Sequence, residues 1–235
     1  MELTKNKSSA SFVGIIMLDT TFPRIKGDIG NPATFSFPVQ YRVVNGASPE
    51  RMVIQADKSL IQPFIEAGRS LIKEGAFAIA TSCGFLALFH RELTQALDVP
   101  VFSSSLLQVH MAQSIIKKNQ KVGIITARKA SLTRDHLAAI AIEHYPLAII
   151  GMEKAKEFSS VFIEGKSTLD SEKCRQEMKT TALKLKELNP DVGAIVLECT
   201  NMPPYAKIIH IVTGGLPIFD VVTMINYAHS TLIHT

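Results

Sequence analysis

The chain has 235 residues, 46% of them apolar and 20% charged, the balance of a globular protein with room for one large domain or two small ones. A net charge of +4 with scattered basic residues, no Trp and only four Tyr gives no footprint for nucleic acid. Three widely spaced cysteines read as reduced thiols, not as a disulfide framework.

The opening MELTKNKSSASF leads into no apolar stretch of signal-peptide type, because Asp19 and Arg24 soon interrupt the first apolar run. No run approaches the ~20 apolar residues that span a bilayer. The expected compartment is the cytoplasm, with no membrane partner. The densest basic cluster, Lys117, Lys118 and Lys121, falls at a predicted helix end, where cations meet the helix dipole favourably.

In chain order, a strand is predicted over Phe12–Leu18 and a second over Val39–Val44. Between them, residues 19–38 (DTTFPRIKGDIGNPATFSFP) fit neither helical nor strand period. A loop this long at a strand's carboxyl end is expected to lie over a binding cleft; covering an edge is the alternative. A helix follows at Ile61–Glu74, a strand at Phe77–Thr81, a helix at Gly84–Leu97 and a strand at Val99–Phe102. The second half predicts helix Leu106–Lys118, strand Val122–Thr126, helix Leu132–His144 and strand Leu147–Ile150. It ends with helix Ser171–Leu188, strand Val192–Leu197, helix Pro203–Val212, strand Pro217–Phe219 and helix Val221–Ile233.

The predicted strands are continuously apolar, as in parallel sheets covered on both faces. Three landmarks also recur in the same order. VGII at Val13–Ile16 returns at Val122–Ile125, Cys83 returns as Cys199, and VPVF from Val99 returns as LPIF from Leu216. The chain is therefore read as α/β, with two similar doubly wound lobes built on parallel sheets, related by pseudo-two-fold duplication, and an active site in the cleft between them. The first lobe covers residues 1–105, joined by the C-terminal helix over 220–235, and the second covers 106–219.

Cys83 and Cys199 each follow a predicted buried strand and precede a segment able to start a helix. Ligands of such sheets bind beyond the carboxyl ends of the strands. Two thiols there can face one small molecule from opposite sides, the geometry that removes a proton from one face of a carbon and returns one to the other. Free cysteine also fills space in cores, and that is the expected role of Cys174 on an amphipathic helix. Ser82, Gly84, Thr200 and Asn201 surround the other two thiols with small polar groups and helix-start amides that suit an anion. His136, His144, His210 and His229 show no metal-site spacing, VTGGLP at Val212–Pro217 lacks a phosphate-loop spacing, and no cofactor and no metal are expected.

These residues resemble the aspartate/glutamate racemase superfamily. TSCG at Thr81–Gly84 is similar to its first cysteine motif and ECTN at Glu198–Asn201 to its second; GIIMLDT (Gly14–Thr20) and GIITARKAS (Gly123–Ser131) are similar to its two lobe-opening strands. The resemblance covers most of the chain. It implies a cofactor-independent isomerase, an amino-acid racemase or epimerase. Cys83 and Cys199 would exchange the proton alpha to the carboxylate of a small amino-acid-like substrate. Ser82, the Gly84 amide, Thr200, Asn201 and Thr126 would hold that carboxylate, Asp19 would meet its ammonium end, and Thr20 is a further substrate-binding candidate; the alternative for Asp19 is a helix or turn cap. Three features depart from the pattern: Glu198 where Gly is usual, Asn201 where His or an acid is usual, and Ser82 with Gly84 around the first thiol. A one-cysteine decarboxylase or cis–trans isomerase of the same superfamily, and a non-catalytic small-anion binding protein, are the alternatives. Dimers are the commonest closed assembly, so a homodimer is expected.

Overall fold

A computed structural model describes residues 11–232. The first sheet comprises β1 (Phe12–Leu18), β2 (Val39–Val44), β3 (Ala76–Thr81) and β4 (Val101–Phe102). The second comprises β5 (Lys121–Thr126), β6 (Leu147–Gly151), β7 (Val192–Leu197) and β8 (Ile218–Phe219). Strand order is β2-β1-β3-β4 in one and β6-β5-β7-β8 in the other, and every pairing is parallel. The central strands β1 and β7 are buried at every position, which is why their sequences read as unbroken apolar runs.

The two sheets match in detail. The register shift between Phe12 and Val13 where β1 meets β3 recurs between Lys121 and Val122 where β5 meets β7. The repeated VGII string has a packing cause. A side chain added at Gly14 would come within 2.8 Å of Ile79 and 3.0 Å of Leu71, and one at Gly123 within 2.9 Å of Leu185. Each glycine lets a helix lie close on the central strand: α1 (Ile61–Lys73), which carries Leu71, and α6 (Ser171–Leu188), which carries Leu185.

The remaining helices are α2 (His90–Ala96), α3 (Val109–Ile115), α4 (Arg134–Ala139), α5 (Lys156–Phe162), α7 (Ala206–Val212) and α8 (Val221–Leu232). Helix α6 starts where the Asp170 side chain accepts from the Lys173 amide at 3.0 Å, and it buries Cys174, Met178, Ala182 and Leu185 along one face. Cys174 is thus a packing residue.

Several predicted boundaries shift. The segment predicted as one helix from Gly84 begins as a 3-10 turn over Gly84–Phe89, tight enough to bury Gly84, Phe85, Leu86, Ala87 and Phe89, before α2 takes over. Helix α4 stops early because Ala141 adopts a left-handed φ of 59°. Helix α5 is absent from the sequence reading; its seven residues carry apolar Phe158, Val161 and Phe162 at helical spacing but too few turns to show a period. Ile233, predicted to end the last helix, and the tail to residue 235 lie outside the described residues, as does the opening segment to residue 10.

The last helix returns to the first lobe. Val221, Met224 and Ile225 of α8 pack on Val13, Ile15 and Met17, while Phe12, Ile16 and Leu18 on the other face of β1 join the main core. No helix among the described residues is long and apolar enough to cross a membrane. Ile225 is fully buried in this contact, so Ile225→Ala is expected to cost about 2–5 kcal/mol, read as a lower urea midpoint with an unchanged slope.

Candidate active site

The duplication brings the two thiols together at the seam. Cys83 lies two residues beyond the end of β3, and Cys199 two residues beyond the end of β7. The preceding residues occupy equivalent positions: the Ser82 amide donates to the Ile16 carbonyl at 2.9 Å, and the Glu198 amide to the Ile125 carbonyl at 2.9 Å. Their side chains hold equivalent amides as well. Ser82 Oγ accepts from Leu18 N–H at 2.9 Å, and Glu198 Oε2 accepts from Ala127 N–H at 3.2 Å.

Hydrogen bonds join the lobes around the thiols. Thr200 Oγ1 donates to the Ser82 carbonyl at 2.5 Å, and Ser105 Oγ donates to the Leu197 carbonyl at 2.6 Å. The Cys199 thiol donates to Asn201 Oδ1 at 3.4 Å, while Asn201 Nδ2 donates to Asp28 Oδ2 at 2.7 Å. Asp28 belongs to the long segment after β1, which therefore does reach over the cleft. Within it Arg24 donates to Asp28 Oδ1 at 3.0 Å and to Thr20 Oγ1 at 2.9 Å, and its guanidinium lies 4.3 Å from the centre of the Phe22 ring. Phe22 meets Phe162 of α5 edge-on, with ring centres 5.1 Å apart.

Both thiols, Ser82, Gly84, Thr20, Thr200, Asn201, Arg24, Glu198 and the rings of Phe22, Phe85 and Phe162 line one small cavity of about 20 Å³. Cys83 is buried and Cys199 is half-buried. Asp19 is not part of this lining. It is exposed and its carboxylate accepts from the Gly46 amide at 3.0 Å, the turn-capping alternative. Thr126 contacts Glu198 instead, donating to Oε2 at 2.8 Å. Ser82, Thr200 and Thr126 spend their hydroxyls on protein partners, and the cationic donor in the cavity lining is Arg24, which the sequence reading left unassigned. The Phe-Pro-Arg string inside the aperiodic 19–38 stretch was the only hint of it.

Burial dominates the electrostatics. It pushes the Cys83 thiol up to about 12, aided by the charge of Glu198 and opposed by the Phe85 and Leu86 amides and by Arg24. Burial also lifts Cys199 well above the ordinary thiol range, again with Glu198 acting in the same direction; the Asn201 amide opposes it, and the charges of Cys83 and Asp28 add to the rise. Glu198 itself is fully buried and is pushed up to about 7 by loss of water, against the bonds from Thr126 and Ala127. Glu198 lines the cavity that holds both thiols, so it does not point away from them.

The family model for Asp/Glu/hydantoin racemases matches residues 40–225. The chain belongs to that family. Similar proteins include a dimethylsulfoniopropionate lyase of Durusdinium sp. clade D, 29% identical over 224 residues, covering 92% of this chain and 73% of that protein. Dimethylsulfoniopropionate lyase 7 of Emiliania huxleyi is 30% identical over 222 residues, covering 91% of this chain but 65% of its own length. The chain thus spans about two thirds to three quarters of these relatives. Among solved structures, a glutamate racemase from Bacillus anthracis superposes with a TM-score of 0.60 at 18% identity, covering 94% of this chain and 81% of that one. That likeness bears out the two-lobed α/β fold.

The relatives overturn the expected isomerase activity. Curated proteins similar to nearly the whole chain are lyases and not amino-acid racemases. The physical reason for the misreading is that paired cysteines fix only where protons move, not which bond breaks next. The one-cysteine alternative fits these findings better than two-thiol racemisation.

The buried carboxyl has a consequence for stability. A free Glu titrates near 4.5 and Glu198 near 7, so between these values the folded state holds a proton that the unfolded chain has lost. Stability falls as pH rises through this window, and above it the whole cost of about 3 kcal/mol is present. Glu198→Gln is expected to be more stable than the parent at pH 8 and nearly equal to it at pH 4.5, compared by urea unfolding at the two values.

Proposed function

We propose that this chain is a lyase that eliminates dimethyl sulfide from dimethylsulfoniopropionate, or from a close relative with an onium group beta to a carboxylate, using a single thiol base. The observation that carries the reading is the lining of the cavity, where one guanidinium and three aromatic rings flank the thiols. It accords with the activity named for the curated relatives. A zwitterionic substrate has one end for each feature. Its carboxylate suits Arg24, whose five N–H donors exceed the two hydrogen bonds made to Thr20 and Asp28. Its sulfonium suits the aromatic wall to which Phe85 and Phe162 contribute, the Phe22 ring already carrying the Arg24 guanidinium.

The chemistry follows from that placement. The carboxylate bound at Arg24 lowers the cost of charge developing on the adjacent carbon. A thiolate takes a proton from that carbon, the carbon–sulfur bond at the next carbon breaks, and its electron pair leaves with neutral dimethyl sulfide. The remaining pair closes the double bond of acrylate, and one proton stays on the thiol. No proton is returned to the substrate, so one base suffices.

Cys199 is assigned that role. It is the more accessible of the two thiols, and the Asn201 carbonyl orients it. Its thiolate also has fewer donors than that of Cys83, which the Phe85 and Leu86 amides and Arg24 favour. A weakly acidic carbon needs a strong base, and a poorly solvated thiolate is one. The cavity of about 20 Å³ holds no more than a water-sized guest. Entry of substrate therefore requires the 19–38 segment and α5 to part at the Phe22–Phe162 contact.

Gas chromatography of the headspace over dimethylsulfoniopropionate provides the test. The parent protein is expected to release dimethyl sulfide with acrylate in equal amounts, Cys199→Ser to lose about 10³-fold in kcat, and Cys83→Ser to lose about tenfold. Absence of both products from the parent would sink the proposal, and equal losses in the two variants would sink the single-base mechanism. Arg24→Met is expected to raise KM by about 10–100-fold, a change of roughly 1.4–2.8 kcal/mol in carboxylate binding; an unchanged KM would move the carboxylate site elsewhere.

A further inference from the structure

The two lobes offer an internal comparison at one position. In the first lobe the residue before the thiol must hold the strand-end amide of Leu18, and the hydroxyl of Ser82 does so. In the second lobe the equivalent amide, that of Ala127, is held by Oε2 of Glu198. The structural task needs one acceptor oxygen, and Glu198 brings two. Its second oxygen, Oε1, is buried and has no hydrogen-bond partner among the described residues. A buried acceptor without a partner is costly, so a serine would do this task at lower cost.

The opposite lobe is shaped around that oxygen. A side chain built on Gly84 would fall 2.2 Å from Glu198 Oε1 and 2.2 Å from the Glu198 carbonyl. Only glycine, directly after Cys83, lets the carboxyl enter. Glu198 is therefore joined in sequence to one thiol, packed on the loop of the other, and part of the cavity lining that both share.

We infer that Glu198 is the proton-exchange partner of Cys199: when the thiol turns from Asn201 Oδ1, the Glu198 carboxylate takes its proton, so that Cys–SH and Glu–COO⁻ become Cys–S⁻ and Glu–COOH with no change in net charge. After the thiolate has taken a proton from carbon, the site holds two acidic protons and one leaves when the cleft opens. The titratable groups acting here are Cys83 from the first lobe and Cys199 beside Glu198; Arg24 and Asp28 of the 19–38 segment act on the thiols, and the chain after β5 contributes the neutral donors Thr126 and Ala127. The charge of Glu198 disfavours either thiolate, so Glu198 and the two thiols together favour a single negative charge. This sharing has a distinct signature. Once Glu198 has lost its proton to solvent, each further thiolate must form by internal exchange, so the thiolate fraction stops rising with pH.

The inference rests on the lyase reading for its catalytic meaning, but its test needs no substrate. The rate of Cys199 alkylation by iodoacetamide, resolved by mass spectrometry, is measured from pH 6 to 9 in the parent and in Glu198→Gln. The parent rate is expected to level off above pH ~7, whereas the variant climbs about tenfold per pH unit and overtakes it by at least about tenfold at pH 8.5. In infrared difference spectra the parent should show a protonated, weakly bonded carboxyl below pH ~7 that the variant lacks. Parallel alkylation curves, or a Glu198 carboxyl that titrates in the ordinary range, would overturn the inference. If Glu198→Gln does not fold, the parent curve alone decides: a plateau supports proton sharing and a continued climb refutes it. Release of dimethyl sulfide is scored separately, so either idea can fail while the other stands.

Discussion

Loss of water at the seam between two sheet ends is the constraint on which the rest of the site depends. Cys83 and Glu198 are withheld from solvent there and Cys199 is half-buried, and loss of water is the first cause of the shift in each. A thiol in water is a poor base for a carbon acid because its thiolate is well solvated. At this seam the thiolate is hard to form and strongly basic once formed. The arrangement requires a nearby group that can hold a proton without adding charge, and the buried carboxyl meets that requirement.

The scaffold reaches this state by duplication followed by local divergence. Strand order, register shift and the glycines under α1 and α6 are shared between the lobes. What differs lies beyond the strand ends. Residues 19–38 in the first lobe correspond to an equally long stretch, 127–146, in the second, yet the second stretch holds α4 and the first holds no α-helix. Freed from helical geometry, the first stretch places Phe22 and Arg24 in the cleft lining and ties Asp28 to Asn201. Symmetry supplies the paired thiols, and the break in symmetry supplies a cation and an aromatic wall on one side.

That asymmetry fits the proposed lyase reaction. Under that proposal a thiolate takes a proton from carbon, and the fate of the resulting charge depends on what the substrate carries next to it. With a hydrogen donor opposite, the charge is quenched; with an onium group on the neighbouring carbon, it expels a neutral leaving group. The surroundings of the thiols, more than the thiols themselves, separate these outcomes.

Much of the architecture was legible in the chain. Strands β1, β2 and β7 and helix α6 fall on their predicted bounds, because continuous apolar runs and an apolar stripe are local signals of burial. The repeated order of landmarks disclosed the duplication and, with it, the meeting of Cys83 and Cys199. Helix α5 was hidden because seven residues are too few to display a period, and with it Phe162 was hidden. Asp19 and Arg24 stand five residues apart in one irregular segment, and nothing in their spacing shows that one caps a turn at Gly46 while the other enters the cleft. The sequence by itself determined the two-lobed α/β scaffold and its pair of thiols, since both follow from short-range patterns repeated along the chain. Only the tertiary structure decided that Glu198 faces those thiols and that Arg24 joins them, because side-chain direction in a turn and contacts across a seam depend on residues far away in the chain.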